Sequence, residues 1–127
     1  MKKLSIIVVC LLATLFSYSQ DFNKIVKASK LEYKDDKWVT IETGYPTDMF
    51  VIIKGWDITI GTHKFKTYDD YEKSTYDSHV TFTWKCVNGN GTKCFFMIKK
   101  FKPEISTHSL YSIIYTETGV MYEYETE

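Results

Sequence analysis

The chain has 127 residues, with 16 basic side chains balanced by 16 acidic ones, so its formal net charge at pH 7 is zero. Every basic side chain is a lysine, and a neutral chain without arginine lacks the guanidinium fork that reads guanine and phosphate, which argues against a nucleic-acid binder. Aromatic residues make up 17% of the chain, including ten tyrosines, ample for one domain with one core.

Residues 1–20 read as a cleaved signal peptide. Lys2 and Lys3 form a positive start, Leu4 to Phe16 an apolar run, and Ser17-Tyr18-Ser19 a small-residue exit. Cleavage is expected near Ser19 or Gln20. The run falls short of the roughly 20 residues a membrane-crossing helix needs, and no other stretch approaches that length, so the mature chain is expected to be soluble. Cys10 follows Val9 and precedes Leu11-Leu12, unlike a lipid-attachment site, and it would leave with the signal. What remains is a single domain, residues 21–127, with one pair of cysteines, Cys86 and Cys94. One pair in an exported chain suits an oxidising compartment, periplasmic or extracellular.

Asp21 to Ser29 places Phe22, Ile25 and Val26 at a weak helical spacing, compatible with a short helix or a first edge strand. Asp35-Asp36 reads as a turn, and Lys37 to Thr43 as a strand. Gly44 to Asp48 is a loop, with Pro46 barring regular pairing. Met49 to Lys54 is a continuous apolar run, the pattern of a strand covered on both faces. Gly55 and Trp56 turn the chain into Ile58 to Gly61, making a hairpin. Thr62 to Ser78 is polar and tyrosine-rich: Phe65 and Tyr68 extend a strand, and Tyr68 to Asp77 reads as a polar loop or one helical turn. The competing reading of that stretch is an acidic, aromatic patch for a cation, a sugar or a basic partner.

The organising stretch is Val80 to Phe101. Val80, Phe82, Trp84 and Cys86 alternate with Thr81, Thr83 and Lys85, the period of a half-buried strand. Cys94 to Phe101 is its partner. Asn88-Gly89 and Asn90-Gly91 both suit a tight turn. A two-residue turn on either pair would set the cysteines on opposite faces. A three-residue loop, Gly89-Asn90-Gly91, closes on Asn88 and Thr92 and sets Cys86 directly opposite Cys94. Opposed residues lie about 4.5 to 5.5 Å apart at Cα, within the range of a disulfide. The expectation is therefore this loop and a Cys86–Cys94 bridge; the alternative is two buried thiols serving as small apolar fillers. After Lys102-Pro103-Glu104, two more strands follow, Leu110 to Thr116 and Val120 to Glu125, around a Thr118-Gly119 turn. The predicted fold is all-β: a single small antiparallel β-sandwich or β-barrel of about seven or eight strands.

Catalytic signatures are missing from the sequence. His63, His79 and His108 stand in no zinc-ligand spacing. There is no nucleophile elbow, phosphate-binding loop or dinucleotide fingerprint. The two cysteines lack the two-residue spacing of redox pairs. The expectation is a non-enzymatic domain without cofactor or metal. Three tryptophans and ten tyrosines exceed what one small core requires, and exposed rings supply binding area. The candidate binding residues are Trp56, Tyr68, Tyr71, Tyr76 and Trp84, forming an aromatic surface for a protein or small-ligand partner. The alternatives are a small barrel holding an apolar ligand, or an exported hydrolase inhibitor that inserts the hairpin.

Trp84-x-Cys86, the Asn/Gly turn, Cys94 with its apolar followers, Leu110-Tyr111, Ile114-Tyr115 and Tyr122-x-Tyr124 resemble short exported proteins common in Bacteroidetes-type genomes. The resemblance extends from about Trp56 to the C-terminus, and the Ser-Gln ending of the signal peptide is similar in style. It implies an all-β fold and export, and it implies no activity and no site residues.

Overall fold

The structure, a computed structural model, describes residues 21–127; the expected signal peptide, residues 1–20, lies outside the described residues. Ten strands follow one another: β1 (Asp21–Lys34), β2 (Lys37–Gly44), β3 (Phe50–Lys54), β4 (Asp57–Ile60), β5 (His63–Thr67), β6 (Glu72–Thr75), β7 (His79–Asn88), β8 (Lys93–Phe101), β9 (Ser109–Tyr115) and β10 (Val120–Thr126). Eight of them close an antiparallel barrel in the order β1-β3-β4-β5-β7-β8-β9-β10, with β10 returning to β1. A closed barrel, rather than a sandwich, is therefore the architecture.

The two remaining strands lengthen the walls. On one edge of β1, residues 21–24 pair with β3 and residues 28–34 with β2. On one edge of β7, residues 80–83 pair with β6 and residues 86–88 with β5. The short β3-β4-β5 strip thus joins the start of β1 to the end of β7. This offset is the stagger that closing a sheet into a barrel requires.

Alternation along the strands fills the interior. Ile25, Val51, Ile58, Ile60, Phe96 and Ile113 are essentially inaccessible and belong to one cluster with Cys86, Cys94, Ile98, Tyr111 and Tyr124. Burying each large apolar side chain contributes roughly 1.5–3 kcal/mol. Asn23 Nδ2 donates to the Tyr111 hydroxyl at 3.0 Å, so this buried phenol is partnered.

The central hairpin folds as its turn residues dictate. Asn88 closes on Thr92 (N–H to carbonyl, 3.0 Å), and Cys86 lies opposite Cys94 in the register. Gly91 takes φ of +81°, the left-handed geometry that ends a three-residue loop. At the β1–β2 turn, Asp35 and Asp36 both have positive φ, +51° and +62°, as a two-residue hairpin of the primed type demands.

Three stretches depart from the sequence reading. The N-terminal segment is neither a short helix nor an edge strand. β1 is 14 residues long and pairs on both sides, with a register shift between Ile25 and Lys27. Residues 62–78 hold two strands, β5 and β6, rather than a loop after Tyr68. Glu72–Thr75 is exposed throughout, so its pairing comes from backbone hydrogen bonding to β7 without any apolar alternation. The Met49–Lys54 run is covered on one face only: Val51 is buried, while Phe50 meets the exposed Phe22 ring at 4.6 Å on the outside.

Candidate functional site

Of the five aromatic residues expected to form one surface, two meet. The Tyr71 ring, half exposed, lies 5.3 Å from Trp84 and 5.4 Å from Phe82. Trp84 continues inward to Phe96 at 5.6 Å, and Phe96 to Tyr111 at 6.0 Å. This is one ladder of rings running from surface to core, with the Lys73 ammonium 5.8 Å above Phe82. Tyr76 stands apart, stacked on His79 at 4.7 Å. Trp56 occupies the β3–β4 turn, and its carbonyl accepts from the Thr67 N–H (2.8 Å) and hydroxyl (3.1 Å). Tyr68 is tied through its N–H to the Lys85 carbonyl at 3.2 Å. Among the described residues, no ring contact joins Trp56, Tyr68 or Tyr76 to the Tyr71–Trp84 pair. Backbone spacing explains this: Trp56 turns with β4, whereas Tyr71 and Tyr76 flank β6.

The cysteine pair has the expected register and a different bonding state. Cys86 and Cys94 are free thiols with their sulfurs 3.0 Å apart, beyond the roughly 2.05 Å of a disulfide bond. Both are buried in the barrel cluster, where a thiol packs as a small apolar group. Hydrogen bonding to Cys94, with burial, pushes the Cys86 thiol up. The same hydrogen bond acts to lower Cys94, against its burial.

A second constellation forms where three turns gather at one end of the barrel. The β4–β5, β7–β8 and β9–β10 turns surround a cavity of about 460 Å³. Its walls include His63 and Phe65 from β5, Asn88 from β7, and Tyr115, Tyr122 and Tyr124 from β9 and β10. A recess of about 340 Å³ adjoins it and shares His63, Phe65, Asn88 and Tyr115. A further recess of the same volume, beside β1 and β2, shares Tyr122 and Tyr124.

The polar groups of this mouth are arranged by the turn itself. The Asn88 side-chain oxygen accepts from the N–H groups of Asn90 and Thr92, both at 2.9 Å. Its amide nitrogen donates to the Tyr115 hydroxyl at 3.2 Å. Tyr115 and Tyr122 stand perpendicular, 6.3 Å apart, at an interplanar angle of 89°, and the Lys30 ammonium lies 6.0 Å from the Tyr122 ring. Burial raises the Tyr115 phenol, with the Asn88 hydrogen bond acting in the opposite sense. Tyr124 is more enclosed. Burial first, then the neighbouring phenols of Tyr122 and Tyr115, push it up to about 12. Both shifts favour the neutral, proton-donating phenol.

These mouth residues are not among those singled out from the sequence. The available signal was the alternation of Val120, Tyr122 and Tyr124, which sends tyrosine, rather than an aliphatic residue, to the inner face. A Ser–His contact, Ser78 Oγ to His79 Nδ1 at 2.7 Å, is local, with the ring between Tyr76 and Phe101. Among the described residues, no group of three or more His, Cys, Asp or Glu side chains could hold a metal ion, and no helix is long and apolar enough to cross a membrane. No protein family, curated protein or solved structure matches the chain.

Proposed function

We propose that this is an exported, non-enzymatic binding domain that holds a small ligand in the mouth of its barrel. The observation that carries the reading is the cavity of about 460 Å³ among Tyr115, Tyr122, Tyr124, Asn88 and His63. Its volume falls in the range of small-molecule sites, and it combines apolar walls with a few converging polar groups. The two tyrosines with raised pKa both line it, and perturbed groups concentrate at functional sites. The filled interior below it favours a ligand held at the rim over one threaded through the barrel.

The exported form is read as one in which Cys86 and Cys94, already opposed, have closed to a disulfide. A disulfide-bearing oxidant of the compartment takes up the two electrons and two protons. A second reading rests on the Tyr71–Trp84–Phe82 ladder: an exposed ring backed by half-buried ones is a ready anchor for a protein partner.

The test is non-reducing native mass spectrometry of the protein purified from its own exported fraction. The expected result is a chain that begins near Asp21, two hydrogens light, carrying additional non-covalent mass. A bare chain, whose mouth tyrosine signals do not shift when the ligand-rich exported extract is added back, overturns the ligand reading.

A further inference from the structure

We propose that the mouth takes a neutral, polyhydroxylated ring of sugar size, an inference that rests on the ligand reading above and assigns its chemical class. Tyr124 is the starting point. It is 8% exposed, its ring packs in the barrel cluster, and it borders the cavity. Among the described residues no group hydrogen-bonds its hydroxyl. The hydroxyl is not among the buried polar atoms left without a partner, so it meets solvent, and the bordering cavity is where a ligand can take the place of water.

Tyr115 adds a second donor. Its oxygen already accepts from Asn88, so its own proton is free to be donated elsewhere. Because Asn88 is also committed to the turn through Asn90 and Thr92, the orientation of Tyr115 is fixed before any ligand arrives. Asn90 and Thr118 bring an amide and a hydroxyl to the same rim.

The remaining lining decides the class. The 460 Å³ cavity is bordered by no carboxylate and no lysine, and His63 is its one readily charged group. A cation would find no counter-charge, and an anion would find only an imidazole. Lys64 reaches one adjoining recess, and Lys30 and Glu42 the other, across Tyr122 and Tyr124. A wholly apolar ligand would displace the water at the Tyr124 and Tyr115 hydroxyls and the Asn90 amide without replacing its hydrogen bonds, which is unfavourable. A sugar answers both requirements. Its hydroxyls each donate and accept, matching several phenols and amides at once. Its C–H faces suit the corner made by the perpendicular Tyr115 and Tyr122 rings, with Phe65 and Val120 as further apolar wall.

The test uses the mature chain and heteronuclear NMR titration with D-glucose, D-galactose, D-mannose and N-acetyl-D-glucosamine. Laurate and p-cresol serve as probes of apolar and aromatic ligands. The expected result is saturable binding of at least one sugar, insensitive to salt, with shifts at the mouth tyrosines. Tyr124→Phe and Tyr115→Phe should each weaken it tenfold or more. Thr118→Ala, a change in an exposed turn, provides the same readout should a tyrosine variant fold poorly. If laurate or p-cresol shifts these tyrosines and no sugar does, the class is wrong and the mouth reading stands. Should no probe reach the mouth, both fall. Sugar binding that is unchanged in all three variants places the site elsewhere and overturns the proposal.

Discussion

Replacing Tyr124 by phenylalanine separates two things that a buried phenol can do for a fold. At neutral pH the hydroxyl has no hydrogen-bond partner among the described residues, so Tyr124→Phe should change stability by no more than about 0.5 kcal/mol, since no satisfied hydrogen bond is lost. Alkaline pH should tell the two chains apart. The Tyr124 phenol is pushed from 10 up to about 12 in the fold. In the unfolded chain it ionises near its ordinary value, while the folded chain still holds it neutral. The unfolded state therefore releases its proton first, and stability falls as pH rises from 10 to 12. At 1.36 kcal/mol per unit, the loss specific to this residue is about 2–3 kcal/mol, complete above the folded value and nil below 10. Urea denaturation at a series of pH values, on wild type and Tyr124→Phe, reads it as a difference, so that the other tyrosines and the lysines cancel. The expected difference is flat below pH 10 and moves in favour of the variant above it. A flat difference through pH 12 would refute the buried-phenol argument. A neutral-pH cost above about 1.5 kcal/mol would show instead that the hydroxyl has a partner inside the fold.

Phe96, 1% exposed and linking the Trp84 ring to that of Tyr111, should cost about 3–5 kcal/mol when cut to alanine, measurable as a lower urea midpoint with unchanged slope. Gly91→Ala meets no atom within 4 Å, so its cost is backbone alone; at φ of +81° it should lose roughly 1–2 kcal/mol, and Gly91→Asn less, since asparagine tolerates this region. Asn88→Ala removes the acceptor of two turn N–H groups and the donor to Tyr115. The expected loss is about 1–2 kcal/mol, and because that donor lowers the Tyr115 phenol, tyrosinate absorbance should show one phenol titrating higher in the variant.

Local chemistry made parts of this fold readable and left others hidden. The β7–β8 hairpin could be placed residue by residue because alternation gave the faces and an Asn/Gly loop gave the register. The β1–β2 turn announced itself through Asp35-Asp36. β1 was obscure because the irregularity between Ile25 and Lys27 breaks the period of two and leaves Phe22, Ile25 and Val26 at a helical spacing. β6 carries no inward residue, so no pattern existed to read. Barrel and sandwich could not be distinguished from the strands themselves. The choice rests on pairing of residues 25–32 with 120–126, a contact between the two ends of the domain that no local signal encodes. The mouth was hidden for the same reason: His63, Asn88 and Tyr122 share a wall only once the sheet closes. The cysteine geometry was legible and the oxidation state was not, because two thiols and one disulfide satisfy the same register.

The four inward tyrosines show why the mouth, more than the aromatic ladder, carries the functional argument. Tyr111 lies deep and its hydroxyl is tied to Asn23. Tyr115 is tied to Asn88. Tyr122 and Tyr124 have no hydrogen-bond partner among the described residues, and both border the cavity. A barrel that needed only to be plugged would be better closed by leucine or phenylalanine, which fill space without a hydroxyl to keep wet. In the Tyr71–Trp84–Phe82 ladder the rings pack on one another, and Tyr71 covers half-buried neighbours whether or not a partner arrives. Hydroxyls that open into a cavity offer hydrogen bonds to whatever displaces its water, whereas an exposed ring on other rings is already explained by the fold. The phenols at the mouth are thus the groups of this barrel that its own packing uses least.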